Sequence, residues 1–155
     1  MSGISYAPPA DGAGPTDRLA ALEAHVAQLT AAEAARTLMH DYALACDQND
    51  VDGVMALFQP DADLWAGPRQ HQGHDEIRAF YAAALCIPTC HIAGVPALSP
   101  ADDGAVTSHA SFVAVELAPD APRLVWGTYV DRIVAPGERA RFASRRITVD
   151  GRAAL

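Results

Sequence analysis

No stretch of this sequence approaches the roughly 18 consecutive apolar residues of a membrane span. Its opening, MSGISYAPPADGAGPTD, has neither the basic n-region nor the apolar h-region of a secretory signal. A cytoplasmic location is therefore the expectation. Positive charge is scarce: 11 Lys and Arg stand against 19 Asp and Glu, a net charge of −8. That balance argues against nucleic acid or an anionic membrane as the main partner. The three cysteines, Cys46, Cys86 and Cys90, are odd in number and follow no disulfide framework, so they are expected as reduced thiols. Haem attachment needs two residues between its cysteines, and Cys86-Ile-Pro-Thr-Cys90-His91 has three; no second ligand pair follows to complete a zinc site. A Gly-rich phosphate loop, a nucleophile elbow and a dinucleotide fingerprint are all missing, so neither a metal nor a cofactor is expected.

What is present suits one ordinary domain. The chain has 155 residues, half of them apolar and 19% charged, enough to bury a core. Residues 1–15 are rich in Pro, Gly and Ala and are expected to be disordered, residues 16–150 to form the domain, and 151–155 a short tail. Leu19, Leu22, Val26 and Leu29 recur every three or four residues, a narrow helical stripe suited to an oligomer contact or to docking within the chain. Thr30-Ala-Ala-Glu33 reads as a capping box that starts a second helix, about 31–48. Its broad apolar face (Ala35, Leu38, Met39, Tyr42, Leu44, Ala45) is that of a core helix, and Asn49-Asp50 ends it. Val51, Val54, Leu57 and Phe58 predict a short third helix stopped by Pro60, then a strand through Leu64-Trp65 that Gly67-Pro68 ends. A fourth helix starts at Gly73-His74-Asp75.

Beyond Pro88 the pattern turns to strands: 89–98, 105–117, 124–134 and 140–149. The segments between them, Ser-Pro-Ala-Asp-Asp-Gly, Pro-Asp-Ala-Pro and Pro-Gly-Glu, are turn compositions. Helices first and strands afterwards, without βαβ alternation, predict an α+β fold: a curved antiparallel sheet with helices on one face. There is no internal repeat.

Two histidines, His91 and His109, sit inside strand-like runs. Along 107–115, His109, Ser111, Val113 and Val115 share one face and Ser108, Ala110, Phe112 and Ala114 the other, and small or polar residues on a strand face suggest a cavity. A histidine is the commonest general base and works best with a carboxylate that fixes its tautomer. Asp47 is the candidate, because a lone aspartate at a helix C-terminus is electrostatically misplaced unless it has a partner. The plainer reading keeps both histidines as core residues and Asp47 in water. His71 and His74 flank a glycine and are expected to face solvent. Arg145 and Arg146 are adjacent on a strand, so one points inward or to a rim, where it could bind an anion.

The stretches AAEAARTLMHDYALACDQNDVDGVMALFQPDADLW, QGHDEIRAFY, CHIAG, GTYVDRIV and FASRRI resemble, in order and spacing, the SnoaL-like branch of the nuclear transport factor two superfamily over about residues 17–150. The resemblance implies an α+β cone with an apolar pocket, commonly as a dimer or trimer. The superfamily holds many chemistries, so the site must supply the reaction. By resemblance to scytalone dehydratases, bile-acid 7α-dehydratases and hexachlorocyclohexane dehydrochlorinases, Asp47 and His91 fall on an Asp–His dyad. His109 resembles a second active-site histidine, Tyr42 a pocket tyrosine and Arg146 a pocket arginine. Met55, Phe58, Trp65, Phe80, Phe112 and Trp126 are the expected pocket wall. The implied function is a cofactor-free lyase of dehydratase type acting on a small apolar ring, polyketide-like or steroid-like compound. Alternatives are a cyclase, isomerase or hydrolase on the same dyad, a binding module, or a partner subunit like the β subunit of ring-hydroxylating dioxygenases.

Overall fold

The computed structural model describes residues 14–101, 103–134 and 139–155. The segment expected to be disordered, but for its last two residues, and the Pro-Gly-Glu turn lie outside the described residues. Helix α1 (Pro15–Asp47) opens with proline at its first position, where the missing N–H is an orphan in any case. Its 33 residues make a rod of about 50 Å. The capping box expected at Thr30 does not form. The Thr30 hydroxyl donates instead to the Val26 carbonyl, 2.9 Å away, a bond made within a continuing helix. Ala32 and Ala35 are completely buried just beyond it, and this docking outweighs the local signal.

The helix stops where the sequence placed the stop. Asn49 takes the left-handed conformation (φ 55°), the Asn49 N–H donates to Cys46 O, and the Asp50 N–H to Ala45 O. These two bonds form a Schellman motif, which satisfies the last carbonyls and turns the chain. The Asp50 carboxylate then accepts the Gly53 N–H and caps α2 (Val51–Ala56).

Phe58 is not helical as expected but opens β1 (Phe58–Ala66), in which Pro60 is accommodated at an irregular stretch of the pairing between Phe58 and Asp63. An additional strand, β2 (Arg69–Gln72), returns antiparallel to it before α3 (Gly73–Ala84). The run 89–98 is two strands, β3 (Thr89–Ala93) and β4 (Ala97–Pro100), parted by Gly94-Val95-Pro96. Both pair with β5 (Val106–Glu116), which pairs antiparallel with β6 (Arg123–Val134), and β6 in turn pairs antiparallel with β7 (Arg141–Ala154). Residues 151–154, expected in a tail, extend β7 and pair with Arg123–Trp126.

The result is α+β, with α1 packed on a curved, unclosed seven-stranded sheet of order β2-β1-β7-β6-β5-β3, β4 beside β5. One pairing departs from the antiparallel expectation: β1 lies parallel to β7. Strand β5 fixes the two faces by simple alternation. Ser108, Ala110, Phe112 and Ala114 are buried toward the helix, while Thr107, His109 and Ser111 are exposed. The β6–β7 ladder slips twice, near Trp126/Gly127 and near Arg132/Ile133, and such bulges bend a sheet. No helix among the described residues is long and apolar enough to cross a membrane.

Candidate functional site

Asp47 is the last residue of α1, and β3 is an edge of the sheet that α1 covers. Because His91 pairs with Ala114, its side chain shares the helix-covered face. The Asp47 carboxylate meets it twice. Oδ1 lies 2.6 Å from His91 Nδ1, and the His91 backbone N–H donates to Oδ1 and Oδ2 at 3.1 and 2.9 Å. The Thr89 hydroxyl adds a third donor at 3.2 Å. These donors offset the repulsion between a carboxylate and a helix C-terminus. An ionised carboxylate only accepts, so the proton of a neutral ring sits on Nδ1 and leaves the Nε2 lone pair free. The Asp47 and His91 side chains are 25% and 13% exposed, so the contact is shielded from solvent and still reachable.

Beside this pair lies a buried polar and aromatic cluster. Arg145 and Asp131 are completely or almost completely buried and joined by two parallel bonds of 2.8 and 2.9 Å. The guanidinium carbon is 3.9, 4.0 and 4.4 Å from the ring centres of Tyr42, Phe142 and Tyr129. Burial alone would lower the arginine's pKa, but the charge and hydrogen bonds of Asp131 hold it above the ordinary value, so Arg145 stays cationic. Among the described residues its Nη1 has no hydrogen-bond partner. Tyr81 donates to the Tyr42 hydroxyl at 3.0 Å. Burial raises Tyr42, Tyr81 and Tyr129 above the usual tyrosine range, and the Asp47 charge adds a little at Tyr129. Tyr42 is therefore a neutral hydrogen-bonding group, not a tyrosine tuned to give up its proton.

The structure thus brings Asp47 and His91 together and sets Tyr42 five residues earlier on α1, in the core. It separates two other candidates from them. His109 lies five residues from Ala114 on β5, an odd number, and is exposed on the opposite face of the sheet. Arg146 is also outside, 4.5 Å above the Trp65 ring, and Arg145 is the inward arginine. The β6–β7 slip is the reason. Ile133 pairs with Phe142 and Arg132 with Ser144, so Ala143 is an extra residue. Strict alternation from the buried Phe142 would aim Arg146 inward; the bulge aims Arg145 there.

The expected pocket wall divides likewise. Met55, Phe58 and Phe112 are buried core residues, with Phe112 stacked on Tyr129 at 4.3 Å. Trp65 stands on the outer face. Trp126, 39% exposed, lies there across Gly151, its indole filling the space that a Cβ would need. Phe80 packs on His71, which is half-buried, and both line a groove of about 540 Å³ with Arg69 and Glu76. His74 is also half-buried, 3.2 Å from the Phe58 carbonyl. Two further cavities measure about 300 and 640 Å³; the first is lined by outer-face residues together with Asp131 and Arg145, the second by the α1–α2 side, and neither Asp47 nor His91 lines any of the three. Sequence reasoning missed Asp131, Tyr129 and Thr89. An aspartate on the buried alternation Val125, Gly127, Tyr129, Asp131, Ile133 was the available signal.

A family model described as a SnoaL-like domain matches residues 27–146. The chain belongs to the SnoaL-like family. The fold agrees with solved SnoaL-like structures. A protein of Novosphingobium aromaticivorans assigned by name to the scytalone dehydratases is 17% identical with a TM-score of 0.76, covering 83% of this chain and 90% of that one. A hexachlorocyclohexane dehydrochlorinase, LinA type 2, is 13% identical with a TM-score of 0.75, covering 84% and 92%. The β subunit of an aromatic-ring-hydroxylating dioxygenase, as named, also from N. aromaticivorans, is 22% identical with a TM-score of 0.70, covering 81% and 92%. At these identities the likeness is one of fold. No curated protein matches the sequence.

Proposed function

We propose that this SnoaL-like protein is a cofactor-independent lyase of dehydratase type, with His91 as general base and Asp47 as its orienting carboxylate. One observation carries the reading: a single carboxylate holds both the ring and the backbone of His91, which fixes the tautomer and the position of Nε2 together. Nε2 takes a proton from the carbon next to a ring carbonyl. The electron pair becomes the new C=C bond as the β-hydroxyl departs, taking the proton back from His91 Nε2 to leave as water and restoring the neutral ring. Arg145, not Arg146, is the cation on the His91 face, and its charge favours the enolate-like transition state as far as Asp131 leaves it unneutralised. Tyr42 positions the end of α1. The substrate class that fits is a small, largely apolar hydroxylated ring ketone; cyclisation, isomerisation or hydrolysis could run on the same pair.

The test is appearance of enone absorbance from a panel of hydroxylated ring ketones, with Asp47→Asn and His91→Ala beside wild type. Loss of about 10²–10⁴-fold in both variants supports the reading. Undiminished turnover in His91→Ala overturns it. A second reading, a non-catalytic binding module or β-type partner subunit, is favoured by the dioxygenase β-subunit likeness. A ligand bound tightly yet recovered unchanged would select it.

A further inference from the structure

The first half of α1 carries an apolar face that the described residues of its own chain do not cover. Leu19, Leu22, Val26 and Leu29 are 57, 50, 59 and 48% exposed. The residues of α1 that are buried begin only at Ala32 and run to Cys46. At about 100° per residue, the stripe is centred about 165° around the helix from that buried face. It therefore points away from the domain, and bending within one chain cannot bring the two together. The spacing is 3-4-3, that of the a and d positions of a two-stranded coiled coil. It ends at the next two seam positions, Glu33 and Arg36, which pair with each other.

We propose that this stripe is the seam of a parallel homodimer, in which α1 of one protomer packs on α1 of a second copy. With Leu19 and Val26 at a, Leu22 and Leu29 at d, Arg18 falls at g and Glu23 at e, both exposed. In a parallel pair g faces the e position five residues further on in the partner, so Arg18 meets Glu23 twice by symmetry. An antiparallel pair sets g against g and e against e, and the match is lost. The 165° offset places the two domains on opposite outer sides of the helix pair, so they do not collide. Two heptads are too few for an isolated peptide, whose helix must form as it associates. Here the domain already holds the helix from Ala32 onward, which removes most of that ordering cost.

The experiment is sedimentation equilibrium on the full chain. Four apolar residues a side make a small seam of the transient class, so weak dimerisation is expected, with a dissociation constant of roughly 10–100 µM. Leu22→Glu/Val26→Glu is expected to be monomeric with unchanged far-ultraviolet circular dichroism. Val26→Cys, in a Cys86→Ser/Cys90→Ser background, is expected to oxidise to a covalent dimer, because parallel a positions face each other. Three results would overturn the proposal: a wild type monomeric at about ten times those concentrations, a dimer that survives the double glutamate variant, or a Val26→Cys variant that dimerises without cross-linking. In the first case another partner or the chain's own first residues cover the stripe; in the second, another surface of the domain pairs the copies.

Discussion

Asp131→Asn keeps the shape of the buried ion pair and removes its negative charge, so it asks what the pair does for the fold. Arg145 would then be a fully buried cation, since Asp131 accepts the hydrogen bonds from its Nε and Nη2, and Nη1 has no partner among the described residues. Breaking a buried pair by removing one partner costs about 3–5 kcal/mol. Contacts with the three aromatic faces, worth about 2 kcal/mol or more for a desolvated cation, are already present in the wild type, so they do not reduce the difference. For a domain of this size about 2–4 °C of melting temperature go with each kcal/mol, which predicts a drop of about 6–20 °C. Thermal unfolding followed by circular dichroism at neutral pH reads it directly. A drop under about 2 °C would refute the claim that Asp131 is what makes the buried guanidinium tolerable. The double replacement Asp131→Leu/Arg145→Met is the control. It removes both charges, and its melting temperature should return toward wild type, because apolar isosteres of a buried pair are often neutral or stabilising.

Burial pushes the Cys46 thiol up to about 11 from its ordinary 9.0. A group whose folded pKa is raised contributes stability that is fully present below the unfolded value and lost as pH rises through the folded one. Between pH 9 and 11 the wild type should therefore lose about 2 kcal/mol more stability than Cys46→Ala, measured by urea unfolding at each pH. At pH 8, mass spectrometry after brief iodoacetamide treatment of the native protein should find Cys86 and Cys90 modified and Cys46 untouched, as their exposure dictates. His109→Ala should leave turnover and stability close to wild type, within about 0.5 kcal/mol, because its side chain stands on the sheet's outer face; a large activity loss would place that face in the chemistry.

Local chemistry was legible in the sequence wherever one signal had no competitor. Asn49-Asp50 ended the helix because an asparagine accepts the left-handed turn and an aspartate caps the next helix. The alternation along β5 was correct in its grouping of His109 with Ser111 and Val113. Alternation alone does not say which group faces the helix, and it is Ser108, Ala110, Phe112 and Ala114 that do. At Thr30 a valid capping signature lost to the burial of Ala32 and Ala35, since docking a whole helix face outweighs one local cap. The sequence by itself therefore determined the α+β class, with the main helix ahead of the long strands, and the helix stop at Asn49-Asp50; through the family resemblance it named Asp47 and His91 as a pair. Only the tertiary structure decided that Arg145 and not Arg146 turns inward, because one extra residue at Ala143 reverses a strand's parity, and pairing across strands is what reveals that residue.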